Sequence, residues 1–470
     1  MKIGVISLGC AKNLVDTENV LGLLRQSNQE IVTSYDDADA IIVNTCGFID
    51  AAKSEAIETI LDVADYKQKK LKKLIVMGCL AKRYKPQLEE EMPEVDRFIS
   101  IDEYASMGSI LTEVLGVKIS NNYGLTPRVL SGKPWMAYLA ISDGCNNRCA
   151  FCAIPFIRGN LHSQPMDKIL EEARRLASTG VKEITLVAQD CTRYGFDFDG
   201  KSHLSELLKE LDQIEGIAWI RMLSELLRQV SKVEGLHWIR VLYMYPDEME
   251  DGLIETIKNS KHVLPYFDIP TQHGSSAVLK RMRRKTSREQ IIDRVNKIRE
   301  EIPDATLRTT MIAGFPEETL EEHAESLSLV KQLQWNRLGI FTYSREEGTA
   351  AYDMDDNVPQ EEKERRRKEI MDAQEIIGIS LLQKEIGTVQ EVLIERVDPL
   401  TQMYIGRSAK MAPDNVDGNV RFHPLKDHQP GEFATVKITK VSGANLIGDE
   451  VAYESIAKTG LTDKIYKLTI

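Results

Sequence analysis

What this sequence has little of narrows its class before any motif is read. It has no apolar run near the roughly 20 residues that cross a bilayer, and its mean hydropathy is −0.27. A membrane-spanning class is therefore excluded and a soluble chain expected. Basic residues are also in deficit. The 60 Lys and Arg stand against 72 Asp and Glu, a formal net charge of −12. No chain-wide field draws this protein to phosphates, so a purely electrostatic nucleic-acid binder is excluded and basic partners fit better. Cysteine is sparse too. Seven cysteines in 470 residues are too few and too unevenly spaced for a disulfide framework, which leaves metal or redox use as the open role. The apolar start Ile3–Leu8 ahead of Cys10 is too short for a lipoprotein signal, so it reads as a buried strand and the expected compartment is the cytoplasm.

What is present is an ordinary globular composition, 42% hydrophobic and 28% charged, in a chain long enough for about three domains. Up to about residue 115, short apolar runs alternate with longer amphipathic stretches, the pattern of strand–helix units around a parallel sheet. Three runs end at a cysteine: Ile3–Leu8 before Cys10, Ala40–Val43 before Cys46, and Leu74–Met77 before Cys79. Parallel strands align their carboxyl ends along one edge, so these three cysteines are expected to converge. The bland alternative is that each is a small buried apolar residue.

A connection rich in Gly, Pro and Asn (residues 121–134) leads into a second series. Strands are expected at Ala137–Ser142, Ile184–Ala188, Trp238–Met244, Tyr266–Pro270, Leu307–Ala313 and Gly339–Tyr343. Six strand–helix units in succession imply a barrel or an open part of one, with chemistry on the loops after the strands. A charged helix from Pro359 to about Gln383 follows. Alternating segments Val389–Ile394, Met403–Arg407, Asn419–Phe422 and Phe433–Val441 then read as a small β-barrel. One segment is duplicated: Leu204–Arg221 recurs as Leu223–Arg240, with ten of 18 aligned positions identical. Only the second copy runs on into an apolar strand, so the barrel strand is placed there and the first copy is expected to be an added surface excursion.

The strongest chemical signal is Cys145-Asn146-Asn147-Arg148-Cys149-Ala150-Phe151-Cys152, a C-x3-C-x2-C triplet just after an expected strand. Three thiolates hold three irons of a 4Fe-4S cluster and leave the fourth iron open to an exogenous ligand. The alternative is structural zinc, with His162 completing a tetrahedral set.

With this triplet at the mouth of an expected βα barrel, the chain resembles the radical S-adenosylmethionine enzymes, and further motifs are similar to their methylthiotransferase branch. These are Ser7–Asp16, Asn44–Phe48, Met77–Leu80, Cys152–Gly159, Ala188–Asp190, Pro270–Ser275 and Gly406–Ser408. The resemblance implies an α/β chain of three domains: a parallel α/β sheet domain at 1–118, a partial TIM-like barrel at 131–360, and a small antiparallel TRAM-like β-barrel at 384–455. It further implies a transferase with two 4Fe-4S clusters and S-adenosylmethionine. Cys145, Cys149 and Cys152 would hold the cluster that cleaves S-adenosylmethionine, and Cys10, Cys46 and Cys79 a second cluster where the methylthio group is assembled.

The Gly9–Asn13 start and the Ala412–Gly418 segment resemble the branch that modifies the β-carbon of an aspartate in small-subunit ribosomal protein twelve, free or on the ribosome. The other branch modifies a tRNA adenosine. Seven Lys and Arg against ten Asp and Glu between Thr388 and Glu454 suit a basic protein better than a phosphate backbone. An electron donor such as flavodoxin or ferredoxin and a sulfur donor are implied as partners, and no membrane.

The resemblance also implies cofactor contacts from Phe151, Gln189, Asp190, Gln272, His273 and Gly314; His273 reads equally as a loop-stabilising partner. The chain departs from the family pattern at Cys191, where threonine is usual, at Glu317, where glycine is favoured, and at His162 and Gln164, where arginines are common. Two basic runs, Lys67–Lys73 and Lys280–Lys285, read as solvated faces.

Overall fold

The computed structural model describes residues 1–124, 127–214, 236–414 and 416–452. Its first unit is a five-stranded parallel sheet in the order Glu30–Val32, Lys2–Ser7, Ala40–Thr45, Lys73–Gly78, Arg97–Ile99. The central strands are apolar on both faces because helices cover both. Ala40 and Ile42 pack with Val20, Leu24 and Leu111 on one side, while Ile41 and Val43 pack with Ile60, Val63 and Leu88 on the other. The three central strands match the sequence expectation. The edge strands Glu30–Val32 and Arg97–Ile99 are only three residues long, too short to carry a legible period.

The second unit is a curved wall of six parallel strands in chain order. Met136–Ala140, Glu183–Val187 and Trp238–Val241 form one half, and Tyr266–Asp268, Thr306–Ala313 and Arg337–Thr342 the other. A parallel bridge between Ile239 and Val263 joins the halves. The convex side packs on helices through Leu139, Leu186, Val241, Phe267, Met311 and Ile340. The helix Gln360–Gln383 starts and ends where the sequence places it.

The duplicated segment lies partly within the described residues. The strand Trp238–Val241 lies in the second copy, as expected. The first copy is not a surface excursion: its helix Leu204–Asp212 turns Leu204, Leu207, Leu208 and Leu211 into the barrel core, all at 0% exposure. An i, i+3, i+4, i+7 apolar stripe is the property a core-facing helix needs, so the first copy serves as the barrel helix. Residues 215–235, which include most of the second copy, lie outside the described residues.

The third unit is a closed barrel of Val389–Val397, Tyr404–Ser408, Val420–His423, Asn445–Glu450 and Phe433–Ser442, in that ring order. The strand Asn445–Glu450 goes beyond the sequence expectation. Its pairing with Val420–His423 is parallel, so the barrel is antiparallel everywhere but there.

This barrel is seated on the six-stranded wall by a buried ionic knot. Arg407 donates to Glu183 at 2.7 Å and to Glu395 at 2.7 Å, and Arg240 donates to Glu183 at 3.1 Å. Glu183, Arg240 and Arg407 are fully buried. Burial pushes the Glu183 carboxyl up, but Arg407 and Arg240 outweigh it and hold it below the ordinary 4.5. Removing one partner of such a group leaves an uncompensated charge in the interior. Glu183→Gln is therefore expected to destabilise the fold by about 3 kcal/mol in urea unfolding. Because the folded value is depressed, this contribution is complete above pH 4.5 and is lost as pH falls through the folded value. The wild-type midpoint should accordingly drop more steeply on acidification than that of the variant.

Candidate active site

Three loops at the carboxyl edge of the first sheet bring Cys10, Cys46 and Cys79 together. Gly9 has φ +87°, and a Cβ there would stand 2.6 Å from Cys46 Cβ; Gly78 has φ +105°, and a Cβ there would stand 2.5 Å from the Thr45 carbonyl. Only glycine permits that backbone and that approach together. Asn13 locks the arrangement by donating to the Leu8 and Thr45 carbonyls. Its Oδ1 lies 3.5 Å from Cys79 Sγ. Cys10 caps the helix Ala11–Gln26 and Cys79 opens the helix Cys79–Glu91, so two helix N-termini favour negative charge at the trio. Cys10 is exposed, and Cys46 and Cys79 are buried.

The second trio sits in the loop after the first barrel strand. Cys145 N donates to the Gly159 carbonyl at 3.1 Å, Ala150 N to the Met282 carbonyl at 2.9 Å, and Ala351 N to the Ala150 carbonyl at 2.8 Å. Asn147 ties the loop to the next strand end, donating to Asp190 at 2.8 Å and accepting from Arg193 at 2.6 Å. Arg284 lies with its guanidinium 3.9 Å from the Tyr245 ring centroid and its Nη1 3.9 Å from Cys149 Sγ. Tyr245 Oη is 3.6 Å from the same sulfur.

The chemistry of both donor sets fits iron–sulfur clusters. Burial pushes the Cys79 thiol up to about 12 and the Cys145 thiol up to about 11, so neither ionises unaided and a bound cluster would have to displace the proton. Arg158 and Arg284 each stand against one trio, placed to balance the charge of thiolate ligands. Among the described residues no three His, Cys, Asp or Glu side chains are gathered closely enough to hold a single metal ion. The zinc alternative loses its fourth ligand. His162 is 79% exposed and turned to Asp197.

The surroundings of the two trios meet near Arg158, where Cys79 packs with Ala153 and Ile157, just after Cys152. The Arg158 side chain, 2% exposed, is 2.8 Å from Asp16 and 3.0 Å from Asp143. Its Nη2 also donates to Asn13 at 2.9 Å and lies 3.9 Å from Cys79 Sγ. Asn13 and Asp16 belong to the first unit and Asp143 to the barrel. A second clamp lies nearby, where buried Glu346 of the last barrel loop takes Lys53 at 3.0 Å and Arg83 at 2.7 Å.

The other expected contacts divide. Asp190 is buried beside the second trio, and burial pushes its carboxyl up to about 6. Gln189 Oε1 is buried there without a protein partner. Phe151 packs with Phe315, next to Gly314, whose φ of +70° and contact with Lys363 admit no side chain. Gln272 bridges Met311 with φ +71°. His273 goes the loop-stabilising way: it is 1% exposed, accepts from Ser275 N at 3.0 Å and lies 3.4 Å from Glu318. Glu317 has φ +64°, the conformation that explains a preference for glycine there. Cys191 is fully buried in the barrel core. Gln164 pairs only through its backbone, accepting Tyr194 Oη at 3.0 Å and donating to the Ile141 carbonyl at 2.9 Å.

Sequence reasoning missed Arg158 and Arg284. The first stood in a quoted motif without a role. The second lay in the basic run Lys280–Lys285, which is not uniformly solvated, since Arg284 is 6% exposed. The run Lys67–Lys73 does pair at the surface with Asp36, Asp39 and Asp96.

Comparison with known proteins agrees with this geometry. Residues 2–100 match the family described as "Uncharacterized protein family UPF0004", residues 139–330 the Radical SAM superfamily and residues 386–451 the TRAM domain. Two relatives named "Ribosomal protein uS12 methylthiotransferase RimO" are similar over nearly the whole length. The protein from Acetivibrio thermocellus is 42% identical, covering 96% of this chain and 98% of its own. That from Clostridioides difficile is 41% identical, covering 97% and 99%. Among solved structures, the radical S-adenosylmethionine methyltransferase TsrM from Kitasatospora setae shares the fold, with a TM-score of 0.53 at 11% identity over 83% of this chain and 78% of that one. With one cysteine trio at the carboxyl edge of the first sheet and another in the loop after the first barrel strand, a radical-SAM barrel wall and this likeness over nearly the whole length, the chain belongs to the RimO family of radical S-adenosylmethionine methylthiotransferases.

Proposed function

We propose that this enzyme methylthiolates the β-carbon of an aspartate in small-subunit ribosomal protein twelve. The observation that supports the reading is a cysteine trio in each of two joined units, with Cys79 of the first packed on Ala153, just after Cys152 of the second. In this reading residues 1–118 hold an auxiliary 4Fe-4S cluster through Cys10, Cys46 and Cys79. Residues 131–360 hold a second through Cys145, Cys149 and Cys152, and residues 384–455 help receive the substrate. When bound, the clusters and S-adenosylmethionine supply one-electron cleavage and sulfur-transfer chemistry that no side chain supplies.

The chain's own residues position and shield. Phe151, Gln189, Asp190, Gln272 and Gly314 border the S-adenosylmethionine site; Gln189 Oε1 offers a buried acceptor without a protein partner. Arg158 and Arg284 hold charge beside the trios. His273 acts through the loop it braces. The Ala412–Gly418 segment, on which the resemblance to the protein-modifying branch rests, lies against the barrel wall: Ala412 packs with Trp238 and Tyr266, and Asp417 accepts from Tyr266 Oη at 2.6 Å. An acidic terminal barrel in that position suits a basic ribosomal protein. A flavodoxin- or ferredoxin-like electron donor and a separate sulfur donor are the further partners this reading requires. Among the described residues no helix is long and apolar enough to cross a membrane, which is consistent with work in the cytoplasm.

Two measurements test the reading. Anaerobically reconstituted protein should carry about eight irons with matching sulfide, two cubes' worth. Replacing Cys145, Cys149 and Cys152 with Ala should halve that and end 5'-deoxyadenosine formation, and replacing Cys10, Cys46 and Cys79 should also halve the iron. Stoichiometric zinc without sulfide would overturn the assignment. In cells lacking their own modifying enzyme, expression of this chain should add one methylthio mass to ribosomal protein twelve, mapped to an aspartate. An unchanged ribosomal protein with a newly modified tRNA adenosine would move the substrate to the other branch.

A further inference from the structure

The strand Thr306–Ala313 alternates closed and open positions. Leu307, Thr309, Met311 and Ala313 are buried, while Arg308, Thr310 and Ile312 are partly open on the concave side. Parallel register sets Asp268 beside Arg308 and Arg308 beside Arg337, then Thr310 beside Gly339 and Ile312 beside Phe341. Neighbouring residues in a sheet share a face. The concave wall therefore carries a charged row, with an apolar row nearer the carboxyl ends.

Two aromatic side chains stay open here, Phe341 at 57% and Tyr243 at 37% exposure. Tyr243 has φ +58°, uncommon for a bulky residue, and its amide donates to Asp268 Oδ2 at 3.1 Å. A Cβ on Gly339 would meet only Thr310 Oγ1, at 4.0 Å, which leaves open space over the wall.

Arg308 is the cation of this wall with donors to spare. A guanidinium has five N–H donors. Here Nη1 reaches Asp268 Oδ1 at 3.4 Å and Nε stands 3.9 Å from Asp417 Oδ1. Asp268 Oδ2 accepts from Tyr243 N, and Asp417 Oδ2 accepts from Tyr266 Oη and from Ala412 N at 2.8 Å, while the buried Asp417 Oδ1 has no hydrogen-bond partner among the described residues. Arg337 turns its Nη1 to the Asn336 carbonyl at 3.2 Å. Arg308, 19% exposed, is thus held from both sides with part of its fork free. Burial pushes the Asp268 carboxyl up.

We infer that Arg308 is the specificity-determining residue that receives the carboxylate of the side chain to be modified, with Tyr243 and Phe341 flanking the peptide that carries it. The inference rests on the protein-aspartate reading above. A planar fork matches a carboxylate and offers nothing comparable to an amide.

The test uses reconstituted enzyme and two peptides spanning the target loop of ribosomal protein twelve, one with aspartate and one with asparagine at the modified position. Binding is read by fluorescence anisotropy and modification by mass. Wild type should prefer aspartate by roughly 10- to 100-fold, the range of a charge-assisted hydrogen bond. Arg308→Gln, with iron content as the check on folding, should bring the ratio near one. Arg308→Lys, which keeps the charge and guards against a misfolded glutamine variant, should retain only a few-fold preference. Wild-type discrimination persisting in either variant overturns the role of Arg308 alone. A wild type that modifies a tRNA adenosine and neither peptide overturns the substrate reading together with it.

Discussion

The buried Arg158 guanidinium is the interaction on which the rest of the active site depends. A charge removed from water is tolerated only where partners surround it, and here they come from two domains: Asp16 and Asn13 from the first, Asp143 from the barrel. Satisfying the guanidinium therefore fixes the first sheet against the barrel edge. Lys12 reinforces the same joint by donating to the Ser142 carbonyl at 2.9 Å. The sheet alone would gather Cys10, Cys46 and Cys79, and the barrel alone would present Cys145, Cys149 and Cys152. The joint brings Cys79 against Ala153 and Ile157, just after Cys152.

A second buried ionic knot governs the other end. Glu183 lies between Arg407 of the terminal barrel and Arg240 of the wall, and so places the Ala412–Gly418 segment against the concave side. The wall is curved without being closed, which leaves its polar row open. The open row is shared between the wall and the terminal barrel, Arg308 of the one lying 3.9 Å from Asp417 of the other. This division explains why charged residues occupy strand positions that a closed barrel would fill with aliphatic side chains.

Much of this was legible in the sequence. Long apolar runs such as Ala40–Val43 and Leu307–Ala313 could be read as strands because helix packing demands continuous or alternating apolar character. The C-x3-C-x2-C triplet was legible because cluster ligation imposes its own spacing. Three-residue edge strands carry too little period to be read. The first repeat copy is a core helix because its apolar stripe, Leu204, Leu207, Leu208 and Leu211, demands burial, a demand that the apolar strand after the second copy masks in the linear sequence.

By itself the sequence marked the C-x3-C-x2-C triplet, the order of strand–helix units and the three-part division, since these follow from local pattern and residue chemistry. Tertiary structure decided which cations serve the site. Arg158 and Arg284 look like any surface arginine in a linear string, and their roles come from burial and from partners more than 100 residues away, as with Asp16 for Arg158 and Cys149 for Arg284. The same holds for Arg308, whose value depends on register: one residue up or down the strand would point it into the helices. Charge placement is a long-range property, set by how separate elements pack, and that information is shared among distant segments instead of residing in any one of them.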